Sequence, residues 1–258
     1  MTSIKVAGGI YRERCTWPDW EFWYGSGGRA AAAVSGLADE VELFSYATED
    51  AARQFGPAAS LYGFKFIPTA APQAVSFDYF HPMSVPIIRP APGRIRALDP
   101  LEVSGSVVLR FGMIEGTAKV SADTCIYDPQ SAFAPEAFHA NGSRAGRLAI
   151  VANATEIATL TGHADVETGA GALLRDSGAE VVVAKGGARG ALLIDASGPR
   201  RIPAFHSDSV WTIGSGDVFA AVFAAAWGAQ ESAPALLAAS TIFLACSIID
   251  PQNANTSS

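Results

Sequence analysis

Two hydrophobic periods alternate along the chain. Short apolar, β-branched runs mark strands, and stretches with apolar positions every three or four residues mark helices. Ile4–Ala7 reads as a strand ending at Gly8-Gly9. An aromatic stretch from Tyr11 to Tyr24 follows, and Gly25-Ser26-Gly27-Gly28 then opens an Ala-rich helix to about Leu37. Val41–Tyr46 is the next strand and Asp50–Leu61 the next helix. The rhythm breaks between about Phe64 and Ala97, where β-prone pieces alternate with prolines. Proline cannot donate to a sheet ladder, so these pieces belong at sheet edges, and they predict a small projecting β flap. Strands resume at Ser106–Phe111, Thr124–Tyr127, Leu148–Ala152 and Val181–Ala184, with helices at Asn153–Leu160 and Glu167–Ser177. Ala191–Ile194 and Arg200–Pro203 predict a hairpin at the far edge. Gly214 opens a long apolar helix, Ala233–Ile248 forms another, and Asn253–Ser258 reads as a frayed tail. A β–α–β–α order of this kind predicts a mostly parallel sheet covered on both faces.

Composition narrows the classes. With 258 residues, 49% hydrophobic and 17% charged, the chain is long and apolar enough for one large α/β domain over 1–258. The segments at about 11–24 and 64–97 fall outside the strand–helix rhythm. A net charge of −7 without a Lys/Arg run gives nucleic acid no electrostatic partner. The most apolar stretches, Val218–Ala229 and Ala235–Ile249, fall short of the roughly 20 residues that span a bilayer, so no membrane partner is expected. No apolar signal core follows the N-terminus, and Cys15, Cys125 and Cys246 lie far apart without a C-x-x-C, so a reducing cytoplasm is expected. The four histidines are not spaced as metal pairs. The P-loop, the dinucleotide glycine fingerprint and the nucleophile elbow are all missing.

The sharpest chemical signal is Thr212-Ile213-Gly214-Ser215-Gly216-Asp217-Val218-Phe219. A glycine turn that runs straight into a helix exposes unpaired N–H groups, and the helix dipole adds partial positive charge, so the turn can receive an anion without Lys or Arg. Asp217 would set a carboxylate beside that anion. The alternative is that Ser215 and Asp217 only cap the helix.

Gly214-Ser215-Gly216-Asp217 resembles the C-terminal signature of the ribokinase-like (PfkB) carbohydrate kinase superfamily. The resemblance implies a three-layer α/β/α fold with a small β lid, formed by the segments at about 11–24 and 64–97. It also implies an anion hole from the Ser215, Gly216 and Asp217 N–H groups, and Asp217 as the base that activates a substrate hydroxyl. Further segments match in family order. Asn153-Ala154-Thr155-Glu156 resembles the N-x-x-E motif, implying that Asn153 and Glu156 organise Mg²⁺ through water. The run from Val181 through Lys185, Gly187 and Gly190 resembles the strand and glycine turn beside the nucleotide, and Tyr127-Asp128-Pro129-Gln130 the D-P-x segment of a central strand. Gly27-Gly28-Arg29-Ala30-Ala31-Ala32 resembles the G-G-x-x-x-N turn facing the sugar, with Ala32 in place of Asn, and Glu13 stands where the family has a sugar-binding Asp.

The expected activity is transfer of a phosphoryl group from ATP, with Mg²⁺, to a hydroxyl of a sugar or sugar-like molecule. A nucleoside kinase and a non-catalytic ligand-binding relative are the alternatives. Where the family's Asp-Thr-Thr helps hold a monovalent cation, this chain reads Trp211-Thr212-Ile213, which leaves a K⁺ requirement open. Arg12 and Arg14 flank Glu13 and either hold an anionic group on the substrate or are solvated surface charges. The aromatics between Trp17 and Tyr24 either stack on a substrate ring or pack at an interface. Exposed flap edges predict a homodimer in which flaps meet.

Overall fold

A computed structural model describes residues 2–131, 134–204 and 211–229. The expected helix at Ala233–Ile248 and the tail, with His206 and Cys246, lie outside the described residues. The main sheet has nine strands. In chain order these are β1 (Ser3–Ala7), β4 (Glu40–Ala47), β5 (Lys65–Ala70), β8 (Leu101–Phe111), β9 (Ala118–Asp128), β10 (Arg144–Asn153), β11 (Val181–Lys185), β12 (Ala191–Asp195) and β13 (Gly198–Ile202). Across the sheet they run β13-β12-β11-β10-β9-β8-β1-β4-β5. All neighbours are parallel except the β11–β12 and β12–β13 pairs, so the expected hairpin does close one edge. A separate four-stranded sheet, in the order β3-β2-β6-β7, consists of β2 (Arg12–Cys15), β3 (Trp20–Trp23), β6 (Ser76–Tyr79) and β7 (Ile87–Arg89). This second sheet is the flap.

Helices α1 (Gly25–Val34), α2 (Glu49–Tyr62) and α5 (Ser215–Gly228) contribute Ala30, Phe55 and Phe223 to an apolar cluster on one face of the main sheet, together with Ile4, Leu43 and Leu109. Helices α3 (Ala154–Thr161) and α4 (Val166–Ser177) bring Ile157 and Leu173 to the other face, against Val108, Cys125 and Ile150. α1 comes very close to β1, since a Cβ on Gly27 would lie 2.5 Å from the Gly8 carbonyl oxygen.

Two features depart from the sequence reading. β5 belongs to the main sheet, where it pairs with β4 as its edge strand. The flap therefore begins later than Phe64, and Pro68 is tolerated because it sits on an edge. β8 and β9 are also much longer than the apolar runs Ser106–Phe111 and Thr124–Tyr127. Their first halves alternate, with Leu101, Val103, Ala118 and Val120 buried and Glu102, Ser104, Lys119 and Ser121 exposed. That is the pattern of a sheet with one wet face, whereas their second halves are buried throughout. The ladder skips Ser106 and Asp123, and the first halves join the same apolar cluster as α3 and α4. The Tyr46 hydroxyl pins this arrangement by donating to the Asp99 carbonyl at 2.6 Å and the Thr117 carbonyl at 3.0 Å.

Candidate active site

The Gly214–Asp217 turn forms as the sequence predicts. α5 starts at Ser215, and Gly214 precedes it at φ +78°, a left-handed conformation suited to glycine. A side chain at Gly214 would also strike the Arg29 guanidinium, with Nε only 2.1 Å from a Cβ. Two of the three expected anion-hole donors are engaged, because the Ser215 N–H reaches the Thr212 carbonyl at 3.3 Å and the Asp217 N–H reaches the Gly214 carbonyl at 3.1 Å. The Gly216 N–H has no acceptor among the described residues. Lys185 lies beside it, its Nζ 3.5 Å from where a Gly216 Cβ would stand, which puts a cation next to the open amide.

Asp217 is buried in the first turn of α5, with both carboxylate oxygens engaged. Oδ2 accepts from Arg29 Nη1 at 3.1 Å, and Oδ1 accepts from the Gln130 side-chain amide. Arg29 also grips Glu13, through Nη2 to Oε2 and through Nη1 to Oε1 at 3.3 Å. The guanidinium thus joins a flap carboxylate to the helix-start carboxylate and rests over the Tyr24 ring at 5.4 Å. Burial pushes the Glu13 carboxyl up and the Arg29 charge pulls it down, the balance staying above the usual carboxylate range. Burial disfavours the Arg29 charge, but Glu13 and Asp217 outweigh it and hold the proton more tightly than usual.

A second charged group lies at the ends of β9 and β11. Asp128 is fully buried and paired with Lys185. Burial pushes its carboxyl up to about 7. Lys185 opposes that shift, and the nearby Glu156 and Asp217 charges reinforce it. Lys185 is itself raised: burial lowers it, but Asp128 and Glu156 more than compensate. Three carboxylates around one ammonium leave an excess of negative charge, and Asp128 Oδ1 is buried without a hydrogen-bond partner among the described residues.

The expected site residues divide. Asp217, Gly214, Ser215, Gly216, Lys185 and Glu13 come together around Arg29 and the turn. Asn153 and Glu156 stand close by, but Asn153 Oδ1 accepts from the Glu156 N–H at 2.9 Å and Glu156 Oε2 from the Asn153 N–H at 2.8 Å. This reciprocal cap starts α3. Gly190, with Lys185, Gly186 and Arg189, lines a cleft of about 400 Å³ that also includes Asp165, Glu167 and Arg201, while Gly187 opens the short turn between β11 and β12. Gly27 and Gly28 serve close packing against Gly8 and Phe55, where the close approach leaves no room for a side chain. Arg12 lies on the flap face opposite Glu13, because neighbours on a strand point to opposite sides. It pairs with Glu21 at 2.7 and 2.8 Å. Arg29, Gln130 and Asp128, which stand in the sequence only inside longer motifs, complete the group around Asp217 and Lys185. A lone charge in an Ala-rich helix was the available signal for Arg29.

The flap face that carries Glu13 is aromatic. Phe22 and Phe77 are the cross-strand neighbours of Glu13, and Trp20 and Tyr79 are those of Cys15. Trp20 continues this surface to Trp211, with ring centroids 5.6 Å apart. Burial, and then the Glu13 charge, hold the Tyr79 hydroxyl well above the ordinary phenol range, which places that ring beside the ion cluster.

Comparison with known proteins identifies the fold and the family. Residues 115–248, just over half of the chain, match the model of the pfkB family carbohydrate kinases. No curated protein sequence matches the chain. Among solved structures, ribokinase from Thermotoga maritima superimposes with a TM-score of 0.69 at 18% identity, over 96% of this chain and 93% of its own. Aminoimidazole riboside kinase from Salmonella enterica, complexed with aminoimidazole riboside and an ATP analogue, gives 0.71 at 15% identity over 96% and 93%. Arabidopsis thaliana ribokinase, complexed with ribose and ATP, gives 0.70 at 15% identity over 95% and 91%. These structures share the mostly parallel sheet, its helical layers and the flap. With the sequence match covering the half that carries Asp128, Asn153, Lys185 and Asp217, the protein belongs to the pfkB family of carbohydrate kinases.

Proposed function

We propose that the protein transfers the γ-phosphate of ATP to a hydroxyl of a sugar or sugar-like small molecule, with Asp217 as general base and the Gly214–Asp217 turn as anion site. The observation that carries this reading is the buried Asp217 carboxylate on a helix start, beside the open Gly216 N–H and the Lys185 ammonium. In-line phosphoryl transfer needs a proton acceptor for the alcohol and positive potential for the phosphoryl oxygens, and these groups supply both. The flap lies over the turn and would exclude water. It is proposed as the lid of a single catalytic domain, with lid strands at 12–23 and 76–89.

The surplus of negative charge around Lys185 and the unpartnered Asp128 Oδ1 fit a divalent cation. Asn153 and Glu156, acting through water, and beside them Asp128 are the residues that would hold Mg²⁺, which would neutralise the donor's phosphate oxygens. The donor would lie along Lys185 and Gly190 in the cleft between α4 and β12.

Asp128 gives a test by pH. Its folded carboxyl, near 7 against an ordinary 3.8, stabilises the protein below about pH 4 and loses that contribution as pH rises through about 7. The stability of the wild type relative to Asp128→Asn should therefore fall between those values in denaturant melts. Parallel curves would contradict the burial argument.

A nucleoside acceptor is the second reading, favoured by the aromatic flap face opposite the base. ADP release measured across sugars, sugar acids and nucleosides separates the two, and nucleotide binding without turnover on any of them would leave a binding protein. Among the described residues no helix is long and apolar enough to cross a membrane. Trp17, Phe80, Met83, Val85 and Ile87 are exposed on the flap and support a homodimer through it.

A further inference from the structure

We propose that Gln130 is a positioning residue that aims the Asp217 carboxylate, an inference that rests on the reading of Asp217 as base. Two independent observations meet at this side chain. Its amide donates to Asp217 Oδ1, on the oxygen opposite the one held by Arg29. Its backbone has φ +41°, making it the one non-glycine residue with positive φ among those described. A long side chain in that conformation is disfavoured, and it persists where surrounding structure enforces it.

The enforcement is visible. Asp128 is fixed by Lys185, and the Gly112 N–H donates to the Asp128 carbonyl at 2.8 Å. The Pro129 carbonyl presses so close on Gly112 that a Cβ there would lie 1.8 Å from its oxygen. Proline then restricts the chain just ahead of Gln130. The segment Asp128-Pro129-Gln130 is therefore held at both ends by site residues, one end on Lys185 and the other on Asp217. Any residue at 130 would inherit the turn, and glycine would adopt it with least strain. Glutamine brings an amide of the right length to reach the carboxylate. Arg29 alone leaves Asp217 free to rotate about its side-chain bonds. With Oδ1 anchored on a neutral amide and Oδ2 on the guanidinium, the carboxylate plane is set, and the remaining lone pairs of both oxygens have fixed directions. A base that need not search for its orientation acts at higher rate without binding substrate more tightly.

Gln130→Gly separates this role from a structural one, since it removes the amide while relieving the backbone. The test compares wild type, Gln130→Gly, Asp217→Asn and the double variant by ADP release with ATP and Mg²⁺. The acceptor is whichever of D-ribose, myo-inositol, adenosine or water the wild type uses fastest. The expected result for Gln130→Gly is a kcat lowered about 10-fold or more, acceptor KM within about twofold of wild type, and unchanged or higher Tm. The double variant should be no slower than Asp217→Asn, because Gln130 acts through that carboxylate. Unchanged kcat in Gln130→Gly, a loss confined to KM, or a double variant slower than Asp217→Asn would each overturn the proposal while leaving the base in place. Near-normal turnover of Asp217→Asn would remove the base reading and this proposal with it. A crystal structure of Gln130→Gly should show the Asp217 carboxylate turned from its present plane, and an unmoved carboxylate would also count against it.

Discussion

Asp217→Asn should bind ATP as the wild type does and turn over at least ~100-fold more slowly. The amide keeps the shape of the carboxylate and can still accept from Arg29, so the local fold should survive. What it loses is the capacity to take a proton from the acceptor hydroxyl. On the proposed reading, nucleotide affinity rests instead on the turn's backbone, Lys185 and the cleft beside Gly190, all of which Asp217→Asn leaves in place, and the lost negative charge beside Lys185 does not oppose an anionic donor. Calorimetric titration with ATP and steady-state ADP release measure the two quantities separately. Turnover within a few-fold of wild type would remove Asp217 from the role of base.

Arg29→Ala should be the most destabilising single change in the site. Its guanidinium is the shared partner of Glu13 and Asp217, both nearly buried, with side-chain exposures of 5% and 10% against 16% for Arg29 itself. Removing one member of a buried ion group strands the others, at a cost on the order of 3–5 kcal/mol, much of it desolvation no longer compensated. For a domain of this size that corresponds to a fall in Tm on the order of 10 °C. Arg29→Lys should recover only part of the loss, because an ammonium is a single point of charge and cannot face two carboxylates with a planar fork. Activity should fall with stability in Arg29→Ala, since Glu13 and Asp217 then repel across the pocket. An Arg29→Ala protein that melts with the wild type would show that the ion group contributes little.

Much of this was legible because the signals were local. The strand rhythm, the hairpin at the far edge and the Gly214 turn each follow from a few neighbouring residues. The placement of Arg12 was legible locally as well, since alternation along a strand puts Arg12 and Glu13 on opposite faces. Other features depend on what the chain brings together from afar. Arg29 and Asp217 are 188 positions apart and Gln130 and Asp217 are 87 apart, and no periodicity links them. The long β8 and β9 were hidden because their first halves alternate and their second halves do not, so the apolar runs mark only the deep ends. β5 looked like flap because proline-rich edge strands read alike whichever sheet they border.

The far end of the flap touches the main body at a telling place. The Thr212 hydroxyl donates to the Pro82 carbonyl and Trp211 leans on Trp20, two and three residues ahead of Gly214. Lifting the cover therefore withdraws support from the backbone that leads into the turn. If the proposed lid does open, the anion site at Gly214–Asp217 is then the first part of the pocket to lose its brace, and its order depends on the cover being down.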